Sequence, residues 1–245
     1  MFVVRLFCNL LVMAIEIGAV VAVAWAGLHY PLYFAAGTAA IALIMGVALE
    51  RARLMNELPF YFGRARTTLT LMGGAIALVE GGLKAMLAGL VALLTFSGTD
   101  QARLLWVAVI FGLCVFAGSS LLRRLSISFG AIPSRWGYFR LAAPLGLLFS
   151  AAVSLLPAPS MTAVGRSLIF DLPGKPSLAQ ASETLFILKQ KFDDIVVTLL
   201  SQFASPGVAK ALGVLISVNM LTGFVIGVFA VAITELVRRL EEATP

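Results

Sequence analysis

The sequence predicts an all-α, polytopic membrane protein with six transmembrane helices and one external amphipathic helix between spans five and six. Composition, six long apolar runs and the placement of basic residues carry this reading. Of the 245 residues, 60% are hydrophobic and 12% charged, with a mean hydropathy of +1.01, whereas a soluble domain has roughly 45 to 50% apolar and 25% charged residues. The net charge of +6 is spread over short connections between apolar runs, where Lys and Arg set orientation. It does not form the basic face that a nucleic-acid binder needs, so no nucleic-acid partner is expected.

Apolar runs of the roughly 20 residues needed to cross a bilayer fall at 6–28, 31–49, 67–96, 104–122, 140–157 and 207–233. The first begins MFVVRLF and contains Glu16. It is longer than the apolar core of a signal peptide, so a retained first span is expected. Arg51, Arg53, Arg64 and Arg66 follow span two, Arg123, Arg124, Arg135 and Arg140 follow span four, and Arg5, Arg238 and Arg239 mark the ends. The alternate connections hold only His29, and Arg103 offset by Asp100. Six spans in a cytoplasmic (inner) membrane, with both termini cytoplasmic, satisfy the positive-inside rule at every short loop. Residues 1–157 then form five spans with two basic loops, 158–206 an extracytoplasmic loop, and 207–245 the sixth span with a short tail.

The long loop turns regular from Leu178. Leu185, Leu188, Phe192, Ile195, Leu199 and Phe203 recur at helical spacing, with Gln190, Asp194, Thr198, Ser201 and Gln202 over much of the remaining surface. That pattern predicts an amphipathic helix over about 178–203. It would open at a Ser177/Gln180 capping spacing and stop at Ser205-Pro206-Gly207. Leu185, Leu188, Phe192, Ile195 and Leu199 are its candidate docking residues, toward a partner or the membrane surface.

Three ionisable residues lie inside apolar runs: Glu16, Glu80 and Lys84. Each costs about 2.5 to 3.5 kcal/mol at the centre of a span, so each needs a partner or a wet cavity. Glu80 and Lys84 are one turn apart, in the favourable order for an intrahelical pair. Two carboxylates against one ammonium leave one acid over, and a carboxylate without a partner in hydrocarbon tends to hold a proton. Glu16, Glu80 and Lys84 are therefore expected to meet inside the bundle as an ion or proton site. Asn9, Asn219 and Thr222 are candidate residues lining a pathway. Gly73, Ala77, Gly81, Ala85 and Gly89 recur every fourth residue, a small-residue stripe that admits a second helix closely; Gly81-Gly82 is also a place where span three could break.

Cys8 and Cys114 lie in apolar runs with no CxxC pair, and no metal or cofactor motif is present. The chain lacks HExxH, GxSxG and GxxxxGK[ST] stretches, so no enzymatic or nucleotide-driven activity is expected. The order of an amphipathic helix, Ser205-Pro206 and a glycine-containing last span resembles the pore module of tetrameric cation channels over the last quarter of the chain. Nothing like TVGYG lies between Thr198 and Ser205, so no selectivity filter is implied. The sequence thus points to movement of an ion or small solute, alone or as the membrane subunit of a complex. The alternative is a scaffold or assembly subunit that docks a partner through its external helix. Membrane lipid, and further copies of the chain or other subunits, are the expected partners.

Overall fold

The computed structural model describes residues 2–62, 67–98, 100–130, 138–156 and 178–243. They form eight α-helices and one short 3₁₀ turn, with no strand among the described residues. The helices are α1 (Phe2–His29), α2 (Pro31–Phe62), α3 (Thr67–Thr95), α4 (Gln101–Phe129), α5 (Tyr138–Ser154), α6 (Leu178–Ser201), α7 (Pro206–Ile216) and α8 (Thr222–Ala243). The 3₁₀ turn Val218–Leu221 joins α7 to α8. Five apolar stretches are long enough to cross a membrane: Asn9–His29, Pro31–Glu57, Met72–Thr95, Gln101–Phe129 and Pro206–Glu242. The 17-residue α5 is apolar but shorter.

Local chemistry explains the helix limits. Asp100 caps α4 by accepting hydrogen bonds from the Ala102 and Arg103 amides at 3.1 and 3.2 Å, which satisfies two otherwise unpaired donors. Gly130 ends α4 at φ 61°, a left-handed position that costs glycine nothing. Helix α2 runs past the expected boundary at residue 49 and carries Arg51, Arg53 and Glu57 as helix rather than loop. An Arg53–Glu57 ion pair of 2.7 Å supports that extension one turn apart. The basic residues Arg64, Arg66 and Arg135 lie outside the described residues.

Contacts between the helices fix their directions. Gly112 of α4 faces Val20 and Ala24 of α1, and Ser119 of α4 bonds Glu16, so these two helices run antiparallel. Gly118 faces Ala230 and Arg123 pairs with Glu241, so α8 runs parallel to α4. The start of α1 and the end of α8 therefore lie at one end of the bundle, called here the terminal end; the other is the distal end. Helix α2 packs along most of α3. Gly81 abuts the Val47 backbone and Gly89 the Ala35 carbonyl, so the small-residue stripe admits α2 at close range. Helix α3 is continuous through Gly81-Gly82.

The core is aromatic. Phe34 lies 5.1 Å from Phe96 and 5.2 Å from Phe229 by ring centroids, Phe96 lies 5.2 Å from Phe111, and Phe111 lies 6.5 Å from Phe149. These rings join α2, α4, α5, α8 and the end of α3 in edge-to-face and stacked contacts.

The last apolar stretch is broken, not continuous as the sequence pattern over 207–233 suggests. Helix α7 stops at Ile216 and the axis restarts at Thr222. The break rests on α5 through two glycines. Gly146 lies directly beneath the Met220 carbonyl, and Gly223 directly against the Ala142 carbonyl.

Candidate functional site

Glu16, Glu80 and Lys84 fall into two separate clusters. Glu16 is 4% exposed. Its Oε1 accepts a 2.7 Å hydrogen bond from the Ser119 hydroxyl, and its Oε2 lies 3.7 Å from an Arg123 nitrogen. Arg123 also pairs with Glu241, so α1, α4 and α8 are tied through one guanidinium. The expectation that Glu16 meets Lys84 gives way to this arrangement, because Arg123 leans back along α4 toward the helix start, as side chains in helices do, and reaches the acid first. Asn9 is exposed, since no described residue covers α1 there, and it does not share the setting of Glu16.

Lys84 instead finds Glu50. Its ammonium pairs with Glu50 Oε1 across the α2–α3 contact and lies 3.7 Å from Glu80 Oε2. The Phe34–Phe96 contact sets a common level for the two helices. Glu50 is 16 residues from Phe34, Glu80 is 16 from Phe96 and Lys84 is 12 from Phe96, which gives depths of about 24, 24 and 18 Å. Lys84 leans toward the start of α3 and so drops its charge between the two acids. The cluster therefore sits toward the terminal end and not at the midpoint of the span.

The Glu50 side chain is buried, while those of Glu80 and Lys84 are 44% and 27% exposed. Glu50 Oε2 accepts no hydrogen bond from a described residue; an Arg53 nitrogen lies 3.6 Å from it. Three acids, Glu50, Glu57 and Glu80, thus share the cations Lys84 and Arg53 in ion pairs. Glu80 faces outward beside Val79 and Leu83, both more than 60% exposed. Glu50 escaped the sequence reading because it stands at the end of its apolar run, next to arginines that read as an orientation signal. Its helical register with Arg53 and Glu57 was the available clue.

Asn219 and Thr222 hold the broken stretch together. The Asn219 amide and side-chain Nδ2 donate to Ser217 Oγ at 3.1 and 3.0 Å. The Thr222 and Thr95 hydroxyls are 3.0 Å apart. With these groups engaged and the phenylalanines filling the centre, neither residue lines an open path among the described residues. A groove of about 480 Å³ between α1 and α4 is wholly apolar, lined by Val20, Trp25, Leu105 and Phe116 among others.

The break is capped from α6. Asp193 accepts from the Ser217 hydroxyl at 2.9 Å and from the Val218 amide at 3.1 Å, a carboxylate placed at the start of a helical segment, where the peptide dipoles favour it. Among the candidate docking residues of α6, Leu188, Phe192, Ile195 and Leu199 are exposed and Leu185 is partly buried. One turn before Asp193, burial pushes the Lys189 ammonium down to about 8; Asp193 opposes this shift and Arg103 of α4 adds to it.

That depression fixes the sign of a pH effect. Between about pH 8 and 10.5 the unfolded chain holds a proton on Lys189 that the folded chain has released, so stability rises with pH through this window. The rise is expected to reach about 3 kcal/mol and to appear as an increasing thermal midpoint in detergent. Lys189→Met should remove that part of the pH dependence and be more stable than the parent at pH 7. An unchanged profile would exclude Lys189 as its source.

Comparison with protein-family models, curated proteins and solved structures returns no match. The functional reading therefore rests on the chain's own geometry.

Proposed function

We propose that this chain is a membrane-embedded assembly subunit, with six spans formed by α1–α5 and the broken α7–α8 stretch, and that it joins further copies or another membrane protein through the outward face of α3. The observation that carries this reading is Glu80: a carboxylate 44% exposed within the apolar stretch Met72–Thr95, on a face flanked by Val79 and Leu83. Even near the terminal end of the span, a carboxylate on a lipid-facing side keeps part of its desolvation cost, and a neighbouring helix that offers a donor or a cation would lower it beyond what Lys84, shared with Glu50, supplies. The ring-packed core supports the same reading, since it leaves the chain to act at its sides. The positive-inside pattern supports a cytoplasmic location for both termini.

In native gels of mildly solubilised membranes, the wild-type chain should run as a species larger than one protomer, and Glu80→Leu should shift it to the protomer with helicity unchanged. A wild-type chain that runs as a single protomer would overturn the reading.

A second reading, movement of an ion or proton through the same cluster, is favoured by Glu50, whose buried Oε2 accepts no hydrogen bond from a described residue. Proton or cation flux in liposomes that is lost in Glu50→Gln would support it.

A further inference from the structure

We infer that α6 and α7 form a hairpin immersed in the distal leaflet, with acyl chains and not an aqueous partner covering its apolar side. Leu188, Phe192, Ile195 and Leu199 of α6 are all exposed, and they fall within about 60° of one another at 100° per residue. On α7, Val208, Leu212 and Leu215 are exposed and make a second stripe of the same width. At the turn between the helices, Phe203 is 88% exposed.

The two helices meet at Val197 against Gly213 and at Asp193 against Ser217. Those contacts fix how each helix is rotated. The stripe on α6 lies about 150° from its contact with α7, and the stripe on α7 about 130° from its contact with α6. Each stripe therefore points largely away from the other helix, and because the helices run antiparallel both lean to the same side of the hairpin, their directions about 100° apart. Val214, whose carbonyl accepts from the Ser150 hydroxyl at 2.9 Å, places α5 on the other side. With Phe203, eight large apolar side chains thus make a convex apolar surface around the hairpin, leaning away from α5.

Depth selects the occupant. From Arg140, a charge that favours the terminal interface, α5 rises about 21 Å to Ser154, less than the roughly 30 Å hydrocarbon core. With Arg140 at that interface, the distal end at Ser154 lies within the hydrocarbon boundary. Val214 meets α5 four residues inside that end and Met220 meets it eight residues inside, about 6 and 12 Å deeper. The hairpin is rooted at acyl-chain depth, and its apolar face continues the lipid-facing sides of the neighbouring spans. Position agrees. Gly223 lies against Ala142 and Gly146, so α8 starts well inside the distal end of α5, and with charges from Glu235 onward it leaves the distal leaflet to α7, beside which α6 is held. In water the same face would expose a patch of the kind that soluble surfaces avoid.

Site-directed nitroxides test this in the whole chain reconstituted into phosphatidylcholine–phosphatidylglycerol liposomes, with Cys8→Ser and Cys114→Ser as background. Labels at Phe192, Leu199, Phe203 and Leu212 should be accessible to oxygen and protected from a water-soluble nickel chelate, with an oxygen-to-nickel ratio several-fold above that of a label at Gln101, exposed at the distal start of α4. Nickel access at the four sites equal to that at Gln101 would overturn the proposal. So would protection from both reagents together with spin–spin broadening at Phe203, which would show a second copy in place of lipid. Native-gel mobility reads the α3 contact separately, so failure of one proposal leaves the other standing.

Discussion

Gly223→Ala is expected to destabilise the chain by about 3 kcal/mol, toward the upper end of what inserting one methyl into a close-packed contact costs. A Cβ at residue 223 would overlap the Ala142 carbonyl oxygen and stand 2.5 and 2.7 Å from the amide nitrogen and Cα of Gly146. All three obstacles are backbone, which cannot rotate aside. Relief requires α8 to move off α5, which would pull the Val218–Leu221 turn away from Asp193 and Thr222 from Thr95. Gly82→Ala is the matched control. It lies within α3, no atom outside the local helix comes within 4 Å of its Cβ position, and replacing a helical glycine there gains up to about 1 kcal/mol. Thermal midpoints in detergent should fall in the first variant and hold or rise in the second. Equal midpoints would mean that the α5–α8 crossing does not depend on this contact.

The second large effect concerns the Glu50–Lys84 pair. Lys84→Met leaves the buried Glu50 without its ammonium and should cost about 3 to 5 kcal/mol, the range found when one partner of a buried ion pair is removed. Replacing both, as Glu50→Leu with Lys84→Met, should recover most of that loss, because two well-packed apolar side chains no longer carry a desolvation cost. The comparison runs as a double-mutant cycle in one detergent, with helicity and thermal midpoint as readouts. Additive losses would show that the two side chains act independently. The cycle also bears on function: a double variant that folds well yet fails to assemble or to conduct places Glu50 and Lys84 in the working site.

The helical class was legible because it rests on local quantities. Apolar run length and the scarcity of charge identify α1 to α4 and the last apolar stretch, and the small-residue stripe of α3 marks the face that admits α2, since a glycine or alanine every fourth residue has few other uses in hydrocarbon. The periodicity of Leu185, Leu188, Phe192, Ile195 and Leu199 gave α6 to within two residues of its end. The candidate site was legible only in part. Glu80 and Lys84 pair as their spacing implies, since i,i+4 geometry is local. Glu16 does not join them, since its partner is decided by where α4 happens to bring Ser119 and Arg123. Glu50 and Asp193, which organise the two polar centres, carried no signal of their own: one stood at the end of an apolar run and the other on an amphipathic helix with no sign of what it would cap.

The sequence by itself determined that this chain is helical, that its helices are apolar enough to live in a membrane, and that α3 presents a smooth face to a neighbour; each follows from composition and a single period. Only the tertiary structure decided which acid meets which base, that the last apolar stretch breaks between Ile216 and Thr222, and that α3 stays whole. Those outcomes depend on contacts between residues far apart in the chain: a carboxylate on α6 reaching a backbone amide before α8, and a lysine on α3 meeting an acid on α2. Helix packing geometry sets such distances, and no period in the sequence encodes them.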